Sequence, residues 1–374
     1  MLLWIGILIA VMIAVAVGIC YLMNRIGKIQ ILDRVCGERK RLKRLISLLV
    51  ILVVGGGITL CFGFVNTIIV MLHLVGFLLI WDLILLIAQK IRKQKFKKYH
   101  SWIPAVATTV VYLGIGWFLV FHVWETDYSY KTEKHTGNIR VVQFADSHVG
   151  TTFDGKGLNK YVDEMNKEKP DVVLITGDFV DDGTSKQDME DACAAVGRLN
   201  TKYGVYFVFG NHDKGYYAKE RRGYDGNDLI AELEKNNVKV LQDESVLIDD
   251  RFYIIGRQDA SEEQSGGSRA KASDLTKDLD SEKYMIMMDH QPNDYDAEAE
   301  SGVDLVLSGH THGGQMLPIT FMGELLKAND ATYGQSTRKN TNFIVTSGIS
   351  DWEIKFKTGC KSEYVVIDIK GNNV

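Results

Sequence analysis

Three stretches without acidic or basic residues dominate the first third of the chain. Residues 2–23, 45–81 and 101–124 contain no Asp, Glu, Lys or Arg. About 20 apolar residues are enough to cross the hydrocarbon core of a bilayer, and the middle stretch is long enough for two helices, roughly Leu45–Phe64 and Thr67–Gln89. The pattern therefore predicts four transmembrane helices, all in the N-terminal third.

Short apolar runs that alternate with amphipathic segments replace this pattern after residue 137. The predicted strands are Ile139–Phe144, Val172–Thr176, Val205–Phe209, Lys239–Leu241, Ser245–Ile248, Arg251–Ile255, Tyr284–Met288, Asp304–Leu307, Asn342–Thr346 and Tyr364–Ile369. The predicted helices are Gly157–Glu168, Ser185–Leu199 and Asn227–Asn237. Strand–helix alternation followed by clustered strands indicates an α/β fold in which two mixed sheets pack between helices, a four-layer α/β/β/α sandwich.

These patterns divide the chain into three parts. Residues 1–125 form a four-span membrane anchor, residues 126–137 a polar linker, and residues 138–374 a soluble domain. Within that domain, Gln258–Asp280 is expected to be a long polar loop, either mobile or a functional lid.

Charge is distributed unequally between anchor and domain. Residues 1–125 hold 14 Lys and Arg against 4 Asp and Glu, a net charge of +10. The remaining residues hold 29 against 43, a net charge of −14. Because phosphate backbones are bound by basic surfaces, the acidic domain argues against a nucleic-acid partner and leaves the lipid bilayer as the expected partner of the anchor.

The basic residues of the anchor predict its orientation. They fall almost entirely in two loops, residues 24–44 and 90–100. Positively charged loops stay in the cytoplasm, so we expect a multi-pass protein of the cell membrane whose soluble domain is extracytoplasmic. If the first span were instead a signal peptide, both basic loops would lie outside the cytoplasm, and we therefore reject that alternative.

Asp82 lies inside the third span. It is either a functional carboxylate or a residue near an aqueous end of the bundle.

Five of the nine histidines belong to short motifs that follow predicted strands. The motifs are Asp146-Ser147-His148, Gly177-Asp178, Gly210-Asn211-His212-Asp213, a lone His290, and Gly309-His310-Thr311-His312-Gly313-Gly314. Open α/β sheets hold their ligands at strand ends. Imidazole donors favour first-row transition metals over calcium or magnesium, and a carboxylate can bridge two ions. The motifs therefore predict a two-metal site. Asp181 and Asp182 are read as solvated loop or helix-cap acids.

From about Asn138 to the C-terminus the chain resembles the calcineurin-like metallophosphoesterase superfamily. The Gly309–Gln315 motif and the N-terminal spans resemble, within it, the bacterial membrane-associated phosphodiesterases, some of which act on nucleotide-sugar lipids. The resemblance implies a first metal held by Asp146, His148, Asp178 and His312. It implies a second metal held by Asp178, Asn211, His290 and His310, with Asp178 bridging.

The resemblance also implies a mechanism and a cofactor. A hydroxide shared between the two divalent ions would attack phosphorus in line, His212 would protonate the leaving oxygen, and Asp213 would hold His212 in register. Manganese is the first expectation for the ions, and iron or zinc fit the same donors.

The predicted function is a metal-dependent phosphoester hydrolase, a phosphodiesterase or pyrophosphatase for which a lipid-linked substrate is one candidate. A phosphomonoesterase or phosphoprotein phosphatase on the same fold is the alternative, because His212 suits both ester types. A non-catalytic membrane sensor is an alternative of a different class. The presence of all seven expected ligands together with His212 argues against it.

Overall fold

The computed structural model describes residues 2–94, 99–216 and 219–373. Lys95, Lys97 and Lys98 of the predicted basic loop lie outside this range. The chain divides into two compact units, one of residues 1–116 with 353–355 and one of residues 117–352 with 356–374.

Long apolar helices make up the first unit. The helices are α1 (Leu2–Ile26), α2 (Gln30–Cys36), α3 (Lys40–Phe62), α4 (Phe64–Arg92) and α5 (Trp102–Phe121). The last of them, α5, runs into the second unit. All but α2 are long and apolar enough to cross a membrane, as the sequence predicts. The short helix α2 was not predicted, and α5 ends at Phe121 rather than continuing to residue 124.

Asp82 lies in α4 and is paired. Its carboxylate accepts a hydrogen bond from the Tyr21 hydroxyl at 2.7 Å and forms an ion pair with Arg25 Nε at 2.8 Å. The Arg25 guanidinium also lies over the Tyr21 ring, 4.7 Å from its centroid. The pairing with Arg25 and Tyr21 is a structural reason for an acidic residue within this helix.

The second unit alternates strands and helices. In chain order its elements are β1 (Val123–Lys131), β2 (Asn138–Phe144), α6 (Leu158–Lys167), β3 (Val172–Thr176), α7 (Lys186–Val196), β4 (Val205–Val208), α8 (Lys219–Arg222), α9 (Gly226–Lys235), β5 (Val238–Val240), β6 (Glu244–Ile248), β7 (Phe252–Gly256), α10 (Ser261–Gln264), α11 (Ala272–Thr276), β8 (Tyr284–Met288), α12 (Tyr295–Glu300), β9 (Leu305–Ser308), α13 (Met322–Leu325), β10 (Gly334–Arg338), β11 (Thr341–Val345) and β12 (Ser362–Lys370).

The strands form two six-stranded mixed sheets. The first has the order β1-β12-β2-β3-β4-β5 and the second β10-β11-β9-β8-β7-β6. Strands β2 to β5 run parallel to one another, as do β7, β8, β9 and β11. Parallel neighbours end at the same edge of a sheet, so each sheet presents several carboxyl ends together.

Three hydrophobic clusters confirm the predicted four layers. One, with residues such as Val141, Leu174 and Ile286, lies between the inner faces of the two sheets. A second joins the outer face of the first sheet to α6, α7 and α9, and a third joins the outer face of the second sheet to α11 and α12. The sequences of the strands that are buried on both faces are nearly continuous apolar runs. These strands were therefore predictable.

Half of the predicted linker is a strand. Residues 126–131 belong to β1, which pairs in parallel with β12 from Val123 to Lys131. Trp124, Thr126, Tyr128 and Tyr130 are half-buried, and the residues between them are exposed. This period of two is a strand signal that the charged intervening residues obscured.

The segment Gln258–Asp280 is also more ordered than predicted. It contains the short helices α10 and α11. Arg269 donates a hydrogen bond to the Gln258 carbonyl at 2.8 Å, and the Ala270 amide donates to Asp243 at 2.8 Å. Polar contacts with neighbouring backbone hold the first part of the segment, while Ala272, Leu275 and Leu279 of the second part pack against the third cluster.

Candidate metal centre

The predicted ligands come from the carboxyl ends of strands in both sheets. Asp146, Asp178 and Asn211 follow β2, β3 and β4 of the first sheet, and His290 and His310 follow β8 and β9 of the second. Gln143 of β2 donates a hydrogen bond to the Ser308 carbonyl of β9 at 3.0 Å, which ties the two edges together. The packing of one sheet on the other therefore brings the two halves of the site to one place.

Five of the seven predicted ligands have left-handed backbone conformations. The φ angles are 55° at Asp146, 36° at His148, 51° at Asp178, 72° at His310 and 49° at His312. A positive φ is uncommon outside glycine, although Asp, Asn and His adopt it more often than other residues. Such conformations persist where surrounding structure fixes them, and they cluster at functional sites.

Glycines beside the ligands allow the loops to approach one another. A Cβ atom at Gly210 would lie 2.2 Å from Asp178 Oδ1, and one at Gly177 would lie 2.7 Å from His290 Nδ1. Gly177 also has a φ of +85°. Neither position can accept a side chain without displacing a predicted ligand.

Asp146, His148 and His312 form a first group of possible donors. One donor atom from each lies within 4.8 Å of the others, and Asp146 and His148 are fully buried. The His310 backbone N–H donates to both Asp146 carboxylate oxygens, at 3.0 and 3.1 Å, and orients that carboxylate.

Asp178, His290 and His310 form a second group, in which one donor atom from each residue again lies within 4.8 Å of the others. Asp178 Oδ2 lies 3.1 Å from His290 Nε2 and 3.7 Å from His148 Nε2. The same oxygen thus faces one histidine of each group. This is the position that the predicted bridging role requires.

Asn211 and His310 are joined directly. Asn211 Oδ1 lies 2.9 Å from His310 Nδ1, and Asn211 Nδ2 donates to the Tyr216 hydroxyl at 2.7 Å. The amide oxygen therefore points toward the second group while the amide nitrogen points away from it.

Charges inside the site oppose one another strongly. Burial alone would raise the pKa of Asp178, but the charges and hydrogen bonding of His290, with the charges of His148 and His212, hold that pKa well below its usual value. Burial likewise lowers the pKa of His290, and Asp178 outweighs it and raises that pKa well above the usual range. Burial and the neighbouring charge of His290 lower the pKa of His310 to about 4.

The donors fit divalent transition-metal ions. Both ring nitrogens of His148 and Nε2 of His290 are buried without a hydrogen-bond partner among the described residues. Buried polar atoms are normally satisfied, and neutral imidazole nitrogens beside carboxylates are what such ions coordinate. The structure thus provides two adjacent donor groups, and Asp178 of the second lies 3.7 Å from His148 of the first.

Asp213 does not contact the His212 ring and instead fixes the backbone of two loops. Its carboxylate accepts hydrogen bonds from the amides of Asp178, Phe179, Val180 and Gly210 at 2.7 to 3.0 Å. Any effect of Asp213 on the register of His212 therefore passes through the backbone of the loop and not through a contact with the ring. Asp213 positions Asp178 and the loop that carries His212.

Asp181 takes the place expected of Asp213. Its Oδ1 lies 3.4 Å from His212 Nδ1, its Oδ2 lies 3.7 Å from His148 Nδ1, and its side chain is only 14% exposed. The prediction that Asp181 is a solvated loop acid is wrong, because the chain turns after Asp178 and returns this side chain beneath both rings. Asp182 accepts a hydrogen bond from the Tyr216 amide at 3.0 Å instead.

Asp351 was not predicted and also contacts the site. It is fully buried, its Oδ1 lies 3.3 Å from His312 Nδ1, and its Oδ2 accepts from Gln315 Nε2 at 2.8 Å. Ligating histidines commonly give their other ring nitrogen to a carboxylate. The signal in the sequence, a lone acid in Gly-Ile-Ser-Asp after a strand, was too weak to find it.

Comparison with known proteins agrees with this site. Residues 139–314 match the family model described as calcineurin-like phosphoesterase. The matched range contains all seven predicted ligands and His212, and the match confirms the resemblance that the sequence predicted.

Two relatives illustrate the match. An uncharacterized metallophosphoesterase of Campylobacter jejuni is 30% identical over 237 residues, which cover 63% of this chain and 60% of the relative. A transmembrane protein with metallophosphoesterase domain from Bos taurus is 30% identical over 240 residues, covering 60% of this chain and 52% of the relative. The matched region thus spans less than two thirds of either relative.

Among solved structures, a dimetal phosphatase from Danio rerio is 13% identical with a TM-score of 0.36, and the match covers 55% of this chain and 86% of that protein. At this level of similarity the likeness carries no inference about activity.

Proposed function

We propose that the chain is a membrane-anchored phosphodiesterase or pyrophosphatase that depends on two divalent transition-metal ions. The observation that supports this most directly is the position of Asp178. Its Oδ2 faces one histidine of each donor group, and its Oδ1 accepts the backbone N–H of His212 at 2.8 Å. The shared ligand and the candidate acid are thereby fixed to each other.

The bound ions would supply an activated water molecule and neutralise charge on the phosphate. Asp146, His148 and His312 would hold one ion, His290, His310 and Asn211 the other, and Asp178 both. Manganese is the first ion to test, and iron and zinc suit the same donors.

His212 is the residue proposed to protonate the leaving oxygen. Burial lowers the pKa of His212, but hydrogen bonding to Asp181 and the charges of Asp178 and Asp181 outweigh burial and raise it. A histidine held in its protonated form beside the phosphate is able to donate a proton, and general acid catalysis is typically worth about 10²–10⁴-fold.

Two exposed aromatic side chains support an organic substituent on the phosphate. The rings of Tyr216 and Trp352 lie 5.2 and 5.1 Å from that of His212, and the two side chains are 59% and 48% exposed. Two exposed aromatic rings next to the acid favour a diester or a pyrophosphate ester over a small inorganic phosphate. Together with the anchor, they make lipid-linked phosphoesters the substrate class to examine first.

The experiment that tests the proposed function is hydrolysis by the full chain in detergent. The metal-stripped protein is reloaded with Mn²⁺, Fe²⁺ or Zn²⁺, and cleavage of bis-p-nitrophenyl phosphate is compared with that of p-nitrophenyl phosphate. We expect metal-dependent cleavage of the diester and little of the monoester, with Asp178→Asn as the inactive comparison. Preference for the monoester would favour a phosphomonoesterase, and activity without metal would refute the two-metal proposal.

We further propose that the catalytic domain faces away from the cytoplasm. The basic loop of residues 24–44 supports this orientation. In a background without the native cysteines, we expect Lys277→Cys in α11's C-terminal cap to react with an impermeant maleimide in intact cells, and Arg41→Cys to react only after permeabilisation. The reverse pattern would place the domain in the cytoplasm.

A further inference from the structure

An exposed apolar segment follows the last metal-binding motif directly. Ten large hydrophobic side chains are exposed among the described residues of 123–373, and six of these ten lie within residues 317–326. They are Leu317 (43%), Ile319 (53%), Phe321 (64%), Met322 (41%), Leu325 (73%) and Leu326 (43%). We call these six side chains the apolar rim.

Soluble surfaces rarely concentrate large apolar side chains in this way. Single exposed hydrophobic residues are ordinary, but a contiguous group marks a surface that contacts a protein or a membrane. Only Glu324 carries a charge between the first and last residues of the rim. The rim is therefore a surface that water solvates poorly.

The backbone under the rim is fixed. The Thr320 amide donates to the Met316 carbonyl and the Leu326 amide to the Met322 carbonyl, each at 2.9 Å, and the Leu317 amide donates to Thr358 Oγ1 at 3.0 Å. Met316 and Thr320 are buried and anchor the segment from below. The apolar side chains are thus displayed by an ordered scaffold.

The rim is also connected to the proposed metal centre. Gln315 donates a hydrogen bond to Asp351, and Asp351 lies 3.3 Å from His312 Nδ1. The rim begins only five residues after His312. Whatever contacts the rim is therefore held close to the loop that carries His312.

We propose that the apolar rim inserts into the interfacial region of the lipid bilayer. A bilayer is always available to this domain, because α5 is long and apolar enough to cross a membrane and only one residue separates its end at Phe121 from the start of β1 at Val123. Leu, Ile, Phe and Met are the side chains that enter the headgroup–acyl boundary. This contact places the metal centre at the membrane surface, where a lipid-linked ester presents its phosphate.

The proposal can be tested in proteoliposomes without measuring activity. The full chain, in a background without the native cysteines, carries one nitrobenzoxadiazole dye at Phe321→Cys. The matched control is Lys277→Cys, whose native side chain is 61% exposed in the same domain. Quenching by nitroxide lipids reports membrane contact, and quenching by iodide reports contact with water.

We expect the dye at position 321 to emit at shorter wavelength, to be quenched several-fold more by nitroxide lipid than the control, and to be protected from iodide. Equal iodide quenching at both positions would overturn the proposal. Protection from both quenchers would also overturn it, since a second copy of the chain or another protein would then cover the rim. Because this readout is independent of hydrolysis, a protein that inserts but is inactive would refute the proposed function alone.

Discussion

Asp181 Oδ1 lies 3.4 Å from His212 Nδ1, so that a nearly buried carboxylate faces the ring of the proposed general acid. Through this contact the carboxylate fixes the orientation of the ring and favours its protonated form, although Asp181 itself is not a proposed ligand. An asparagine at position 181 would leave the His212 ring in place but remove the negative charge that raises the pKa of His212.

We therefore predict that Asp181→Asn lowers kcat by about 10- to 100-fold, part of the ~10²–10⁴-fold that general acid catalysis typically provides. The loss should be large for esters with a poor leaving group, such as an alkyl alcohol, and small for p-nitrophenyl esters, which need no proton. Steady-state kinetics on both ester types checks this. Asp182→Asn is the control, and equal losses on both types would indicate a merely structural role.

Asp351→Asn is predicted to weaken metal binding. Asp351 lies 3.3 Å from His312 Nδ1, and loss of a carboxylate that supports a ligating histidine typically lowers metal affinity by about 10–100-fold. Competition with a fluorescent chelator measures the affinity of each ion. Asp296→Asn, at a side chain that is 91% exposed, should leave the affinity unchanged, and an equal effect of both variants would contradict the assignment.

Asp178→Asn is predicted to abolish hydrolysis and to reduce the bound metal from two ions toward one or none. The variant replaces the charged carboxylate, whose Oδ2 faces one histidine of each donor group, with a neutral amide that binds cations more weakly. The fold should persist, because the Asp178 backbone amide and its bond to Asp213 remain. Metal analysis after gel filtration, with circular dichroism as the folding control, decides the outcome. Normal activity with two bound ions would refute the bridging role.

The fold and the clustering of the candidate ligands were predictable because they follow from local patterns. Strands β3 and β8 are uninterrupted apolar runs, and their predicted bounds match the structure at both ends. The ligands lie in short motifs at strand ends, where chain order alone brings them together. Strand β1 was missed because its apolar residues alternate with charged ones, a pattern that also suits an exposed tether.

The side chains that support the ligands were not predictable in the same way. Asp181 and Asp213 are two acids in neighbouring loops, and nothing in the sequence tells which of them faces His212. The backbone turn after β3 decides this, because it places Asp181 under the ring and leaves Asp213 to accept four amides. Such contacts depend on tertiary geometry rather than on spacing.

The Arg25–Asp82 pair gives a prediction for the membrane unit. Removing one partner of a buried ion pair typically destabilises by about 3–5 kcal/mol, whereas replacing both by apolar residues is often neutral. We therefore expect Asp82→Leu and Arg25→Leu each to lower the thermal midpoint in detergent and the double variant to recover most of the loss. If the double variant is instead stable but inactive, Asp82 has a functional role beyond pairing.

A buried carboxyl of α12 makes stability depend on pH. Burial, then the charge and hydrogen bonding of Asp289, raise the pKa of Glu298 well above its usual value, and Arg257 only partly opposes them. The folded state therefore keeps a proton that the unfolded chain releases near the ordinary glutamate pKa of about 4.3. Above that pH folding must take up a proton, so the contribution of Glu298 to stability falls as pH rises toward the raised value.

Glu298→Gln should remove this dependence, since an amide fits the same volume and does not ionise. We expect the thermal midpoint of the wild type to fall more steeply than that of the variant between about pH 5 and pH 8. Glu300→Gln is the matched control, because Glu300 lies in the same helix with its side chain 69% exposed and pairs with Lys339 at 3.0 Å. Parallel curves for all three proteins would show that Glu298 stays ionised in the folded state, held by Arg257 at 3.7 Å.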